Sequence, residues 1–348
     1  MSAVSAVERW GLIGHDGAVE HLASSLTAGR IPHAILITGP EGVGRGSLAM
    51  ALARALNCSA APDARPCNTC DSCRRVARGA HPDVMGIDLE WQERMIPRKR
   101  GEESRRQRLS IDAMRWLRAD IASRPIQGRW KTQIIADAAL LTDAATNAFL
   151  KTLEEPPPFA VIVLLAETED ALSETLLSRC QRLALGPVPA AVIRAALLDR
   201  GVGETAAGQI ASAARGRPGW ALRMAAEPDR FGNRRNAIEA AFEQLSDRLQ
   251  RVAVSGTIAR DHVKHREQTF EALDYWTGLW RDALLYRLGL AEQTAFPEVG
   301  DRLSQYARQF RTDDLCRALW ATRRCASDLE SNVNARVALH AMVMQWPE

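Results

Sequence analysis

A chain of 348 residues with a formal net charge of +3 and 46% hydrophobic residues is too long for one ordinary domain and apolar enough for two or three cores. So balanced a charge sets up no global field pointing to nucleic acid or membrane, and the longest apolar stretch, Phe159 to Ala166, is too short to span a bilayer. The N-terminal residues carry Glu8 and Arg9 and no signal-peptide apolar run, so the chain reads as cytosolic, a compartment that keeps its seven cysteines reduced.

Residues 1–187 alternate apolar with amphipathic runs, the pattern of an α/β domain. In chain order the pattern predicts a helix over Gly17–Ala28, a strand over Ala34–Thr38, a helix over Leu48–Leu56 and a strand over Asp83–Gly86. It continues with a helix over Ile111–Ser123, a strand over Thr132–Ala136 and a helix over Asp143–Leu153. A strand over Val161–Leu165, a helix over Ala171–Leu177 and a strand over Arg182–Leu185 complete the series. Ser110 and Thr142 stand where N-caps are needed. The run Gly186-Pro187-Val188-Pro189 breaks the pattern and marks a linker. Residues 190–227 read as short Ala-rich helices with a turn at Gly216-Arg217-Pro218-Gly219. From about residue 231 the pattern is helical throughout. There Leu273, Trp276, Trp280, Leu284, Leu285 and Leu288, and then Leu315, Leu319 and Trp320, recur at the spacing of a core or helix–helix interface. The expected domains are therefore 1–187, 188–230 and 231–348.

Between the first strand and the helix that follows, residues 39–47 read Gly39-Pro40-Glu41-Gly42-Val43-Gly44-Arg45-Gly46-Ser47. This is the frame of a phosphate-binding loop, G-x-x-x-x-G-K-[ST], whose glycines let backbone N–H groups crowd around an anion at a helix N-terminus. The lysine position holds Arg45, and the magnesium-binding hydroxyl position holds Gly46, which has no oxygen to offer. Arginine is a planar fork and does not simply replace a lysine point charge.

Cys58, Cys67, Cys70 and Cys73 follow as C-x8-C-x2-C-x2-C. The two tight spacers let three thiolates converge from one turn, and Cys58 at a helix end completes a tetrahedron. That chemistry points to structural Zn²⁺. His81 is an alternative ligand, and an iron–sulfur cluster is compatible with the ligand type alone. Further on, Arg94, Arg98, Lys99, Arg100, Arg105, Arg106 and Arg108 crowd a segment, 94–108, that also holds Glu102 and Glu103. It reads as a solvated loop with the charge to touch DNA phosphates.

In order and spacing, several of these segments resemble the bacterial clamp-loader AAA+ subunits. They are Ile31 to Pro40 leading into the degenerate loop, the cysteine cluster, and Asp137-Ala138-Ala139-Leu140-Leu141-Thr142. Asn147-Ala148-Phe149-Leu150-Lys151-Thr152-Leu153-Glu154-Glu155-Pro156-Pro157 and Leu177-Ser178-Arg179-Cys180 follow. The likeness covers residues 12–225, is architectural beyond them, and is most similar to the delta-prime branch. It implies a RecA-like AAA+ P-loop domain, a small helical lid and a C-terminal all-α collar. It puts Ala136 in the place of a magnesium-binding aspartate, Asp137 in that of the water-orienting glutamate, and Gly219 in that of a γ-phosphate-sensing arginine. With Arg45 and Gly46, these departures imply neither ATP binding nor hydrolysis.

The resemblance leaves Arg179 intact as an arginine finger acting in trans on a neighbouring subunit. The implied partners are gamma/tau-like ATPase subunits and a delta-like subunit, with the sliding clamp and primed DNA reached through the assembly in the cytoplasmic replisome. Two other readings compete. One is an active motor ATPase of the same family. The other is a zinc-dependent nucleic-acid-binding protein, for which Arg74, Arg75 and Arg78 supply charge but no aromatic interleaves.

Overall fold

The computed structural model describes residues 6–97, 108–331 and 333–347. Arg98, Lys99, Arg100, Glu102, Glu103, Arg105 and Arg106 of the basic segment therefore lie outside the described residues. The described chain forms two compact units, one running to Ala196 and including Gly216–Trp220, the other made of Leu197–Arg215 and the chain from Ala221 onward.

The first unit begins with helices α1 (Ala6–Trp10) and α2 (Asp16–Thr27), strand β1 (Ala34–Thr38) and helix α3 (Arg45–Asn57). Helix α4 (Asp71–Ala77), strand β2 (Val84–Ile87), and helices α5 (Leu89–Met95) and α6 (Ile111–Ile121) come next. Strand β3 (Lys131–Ile135), helix α7 (Asp143–Glu154), strand β4 (Ala160–Ala166), helix α8 (Glu174–Leu177) and strand β5 (Gln181–Ala184) follow. The five strands are all parallel, in the order β2-β3-β4-β1-β5. Every residue of β1 and β4 is buried, and alternate side chains enter different cores. Ile35, Ile37, Val161, Val163 and Leu165 pack under Val19, Leu48 and Leu52. Ala34, Leu36, Ile162 and Leu164 pack under Met114, Phe149 and Leu176 on the other face. Burial on both faces is why these strands read as continuous apolar runs rather than as alternation.

Each predicted strand is present within a residue or so, and the shifts have local causes. The predicted strand at Asp83 starts at Val84, because the Asp83 carboxylate accepts N–H bonds from Ile126, Gln127 and Gly128 at 2.6, 2.8 and 2.7 Å. The predicted helix over Ala171–Leu177 shortens to Glu174–Leu177, with Ser173 capping Leu176 N–H. Helix α3 starts at Arg45 instead of Leu48, because Gly44 at φ 122° bends the loop straight into the helix.

The remaining helices are α9 (Ala190–Leu198), α10 (Glu204–Ala213), α11 (Pro218–Ala226), α12 (Pro228–Ser246), α13 (Arg248–Asp261) and α14 (Arg266–Arg287). They end with α15 (Gly300–Ala307), α16 (Thr312–Glu330) and α17 (Ala335–Val343). In the second unit α14 packs against α16 and α13 against α17. Trp276 and Trp280 are buried there, and each meets Trp346 edge to face at 5.4 and 5.5 Å. Trp320, whose spacing suggested a core or a helix–helix interface, is 66% exposed. Helix α16 buries Leu315, Ala318, Thr322, Cys325 and Leu329, and a residue five after Leu315 lies roughly 140° around the helix from it. Leu288 is likewise exposed, at the C-cap of α14. No helix among the described residues is long and apolar enough to cross a membrane.

Candidate functional site

The strand order reverses at β1, so the crevice at the carboxyl ends of β1 and β4 is where a ligand would sit in such a sheet. The glycine-rich loop is folded there. Gly39, Gly42 and Gly44 adopt φ of 143°, 78° and 122°, conformations that side chains rarely tolerate. A Cβ on Gly39 would stand 2.4 Å from the Leu185 carbonyl. Two loop carbonyls are already engaged within this unit: Gly42 accepts the Gly219 N–H at 2.8 Å, and Val43 lies 3.0 Å from Nε2 of His15. Gly219 is in the slot where the resemblance implied an arginine, and a Cβ there would sit 3.0 Å from the Gly42 carbonyl.

At the positions where the resemblance puts the phosphate- and metal-handling groups, the side chains are missing or committed. Arg45, with 13% of its side chain exposed, lies 3.9 Å from the carboxylate of Glu167, the residue directly after β4. Gly46 carries no oxygen. Ala136 continues β3 only through its N–H, bonded to Ile87. The Asp137 carboxylate accepts the Ala139 N–H at 3.1 Å, capping a single turn of 3₁₀ helix.

The cysteines converge. The sulfurs of Cys58, Cys67, Cys70 and Cys73 all lie within 4.8 Å of one another, and Cys58 and Cys70 are 4.0 Å apart. Zinc–sulfur bonds of about 2.3 Å in a tetrahedron set sulfurs about 3.8 Å apart, so this donor set fits the ion. Cys58 is at the C-cap of α3 and Cys70 at the N-cap of α4. Backbone N–H groups of Cys67, Cys70 and Cys73 point at the sulfurs of Cys58, Cys67 and Cys70 at 3.3, 3.3 and 3.4 Å, as thiolates require.

Burial opposes ionisation of Cys70, but hydrogen bonds from Ser59 and Cys73 bring its thiol down to about 6. Burial likewise opposes Cys67, and bonds from Thr69 and Cys70 carry it below its ordinary value. In Cys58 and Cys73 burial wins and pushes the thiols up. A cation at the centre would hold all four as thiolates. His81 is not part of the cluster; its Nδ1 accepts the Asp83 N–H, and burial lowers its pKa.

Arg179 stands just beyond α8, at a corner formed with the end of α7. Its Nε donates to the Glu154 carboxylate at 2.9 Å, and Nη2 donates to the same oxygen. Nη1 donates to the Thr175 carbonyl at 2.8 Å and the Ser178 hydroxyl at 3.2 Å. The side chain is 31% exposed. Cys180 beside it is packed, and burial pushes its thiol up to about 12, so it fills space rather than reacts.

A family profile described as "DNA polymerase III, delta subunit" matches residues 14–189, half of the chain. The chain belongs to that family of clamp-loader AAA+ proteins. DNA polymerase III subunit tau of Escherichia coli strain K12 is 33% identical over 183 residues, 53% of this chain and 26% of that protein. The Bacillus subtilis subunit tau is 32% identical over 171 residues, 49% of this chain and 28% of that protein. The chain thus spans about a quarter of the length of the curated relatives it matches. A DNA polymerase III gamma subunit-related protein of Thermotoga maritima overlays 94% of this chain and 97% of its own, at 17% identity and a TM-score of 0.40.

In this clamp-loader chain the structure adds residues to which the sequence pattern assigned no role: His15, Glu154 and Glu167. His15 and Glu167 meet the loop only through the tertiary fold. Glu154 left one local signal, since a carboxylate in the last turn of a helix opposes the helix dipole at a cost of about 0.3–1 kcal/mol and calls for a cation nearby.

Proposed function

We propose that this protein is a non-hydrolysing, delta-prime-like subunit of a replicative clamp loader that lends Arg179 to the ATP site of a neighbouring gamma/tau-like ATPase subunit. The observation that carries this reading is the contrast, within one unit, between a nucleotide loop without a metal ligand at the carboxyl end of β1 and an arginine fork held just before the amino end of β5. Gly46 and Ala136 have no donor, the Asp137 carboxylate caps its own turn, and Arg45 faces Glu167. Phosphoryl transfer depends on metal, water activation and charge stabilisation, and for the first two these positions offer no free side chain. The third is what an arginine fork supplies to charge developing on a γ-phosphate.

In this reading residues 1–187 are the AAA+ domain, 188–230 the lid and 231–348 a collar that assembles with the ATPase and delta-like subunits. The ring so formed opens the sliding clamp around primed DNA. Zn²⁺ held by Cys58, Cys67, Cys70 and Cys73 is structural: it ties the end of α3 to the start of α4. The test is Arg179→Ala in the reconstituted loader. DNA- and clamp-stimulated ATP turnover is expected to fall by about 10³-fold. Unchanged turnover, or brisk magnesium-dependent phosphate release by the isolated chain, would remove the reading and leave a motor ATPase in its place.

A further inference from the structure

A guanidinium has five N–H bonds, and four of those on Arg179 are committed within its own chain. They divide by edge. The Nε–Nη2 edge meets a carboxylate, that of Glu154, while Nη1 rests on two neutral acceptors, the Thr175 carbonyl and the Ser178 hydroxyl. These two classes of bond differ in strength, since a hydrogen bond to an ionised partner is roughly twice as strong as a neutral one.

Glu154 is also placed where helix stability gives it no reason to be. It is the last residue of α7, against the negative end of that helix. Its neighbour Leu153 is packed in the same core as Leu176 of α8, and α7 touches α8 directly. Anchor and finger therefore stand on elements fixed against one another, the condition for holding a side chain to within a fraction of an ångström.

We propose that Glu154 is the positioning residue of the arginine finger. Its carboxylate grips the Nε–Nη2 edge of Arg179 and keeps that grip, while an incoming phosphate oxygen displaces Thr175 and Ser178 from Nη1. The exchange costs little because the groups displaced are neutral and the group arriving is charged. The finger reaches its partner by changing acceptors on one edge rather than by searching rotamers. This inference rests on the trans-acting reading of Arg179.

The experiment is Glu154→Gln in the reconstituted loader, measured as ATP turnover against ATP concentration with DNA and clamp saturating. Gln keeps the shape and removes the charge. The maximal rate is expected to fall about 10- to 100-fold with the half-saturating ATP concentration unchanged, the signature of a misaligned group. Adding Glu154→Gln to Arg179→Ala is expected to cause no further loss, and Glu154→Asp to recover part of the rate. Ser178→Ala, which touches only the displaceable edge, is expected to lose clearly less of the maximal rate than Glu154→Gln.

Wild-type turnover in Glu154→Gln, beside a crippled Arg179→Ala, would overturn the anchor and leave the trans-acting reading intact. A rise in turnover would also overturn it, making Glu154 a restraint. A fall in Ser178→Ala matching that in Glu154→Gln would show that the edges are misassigned. Wild-type turnover in Arg179→Ala would instead sink the reading beneath. Should Glu154→Gln fail to assemble, Glu154→Asp and Ser178→Ala carry the same comparison.

Discussion

Two corners of the first unit set an arginine beside a carboxylate. At the glycine loop, Arg45 and Glu167 approach to 3.9 Å, with the acid 62% exposed. At the end of α7, Arg179 is fixed by Glu154, Thr175 and Ser178, with Nε 2.9 Å from the acid. The residue types match; the number of fixed N–H groups does not. A single 3.9 Å contact with an exposed acid fixes no N–H group of Arg45, although packing buries most of its side chain. A fork held on three sides has already lost its rotamer freedom and meets a ligand without that entropic cost. What separates the two arginines is the grip, two N–H bonds on one carboxylate oxygen against a single approach at 3.9 Å, which no residue type announces.

The largest effect that would break this comparison lies at Arg179. Arg179→Lys keeps the charge and loses the fork, and loader turnover is expected to fall at least 100-fold, nearly as far as in the alanine variant. A lysine that works as well would mean that charge alone matters and that the comparison is empty.

Second is the cysteine staple. Stripping the metal with a chelator, or Cys70→Ser, frees the loop between α3 and α4. Closing a loop of this length is worth about 3 kcal/mol, so the thermal midpoint of the first unit should drop by several degrees while bound zinc per chain goes to zero. An unchanged midpoint with the zinc gone would make the ion dispensable.

Third is Asp83, which is 1% exposed and accepts three backbone N–H bonds. Burial opposes its ionisation, yet those bonds carry its carboxyl below the ordinary value. A depressed carboxylate adds stability above its unfolded value of 3.8, and that contribution is lost as pH falls through the folded one. Asp83→Asn should cost about 1–3 kcal/mol at neutral pH. The gap between variant and wild type in denaturant midpoint should close below pH 3.8.

The smallest effect sharpens the contrast from the other side. Arg45→Ala should leave loader turnover within about twofold and stability within about 0.5 kcal/mol.

The sheet was legible because β1 and β4 bury both faces, which turns each into an unbroken apolar run. The short helices α1, α4 and α5 were not legible, since one or two turns hold too few residues to display a helical period. The cysteine set was readable because all four ligands come from one stretch of chain, where spacing stands in for geometry. The Arg179 motif was readable as a string, but its carboxylate lies 25 residues upstream on another helix. Trp320 left core or helix–helix interface open, and its angular position on α16 puts it outside the core.

The hydrogen bond from Gly219 to Gly42 limits what either position can become. On the proposed reading, giving this chain an ATPase site would take a lysine, a hydroxyl, an acidic pair and a sensing arginine. At position 219 even the first carbon of a new side chain would press on the Gly42 oxygen at 3.0 Å. A side chain at 219 therefore needs the loop backbone at Gly42 to give by a few tenths of an ångström, so the two positions are tied to one another.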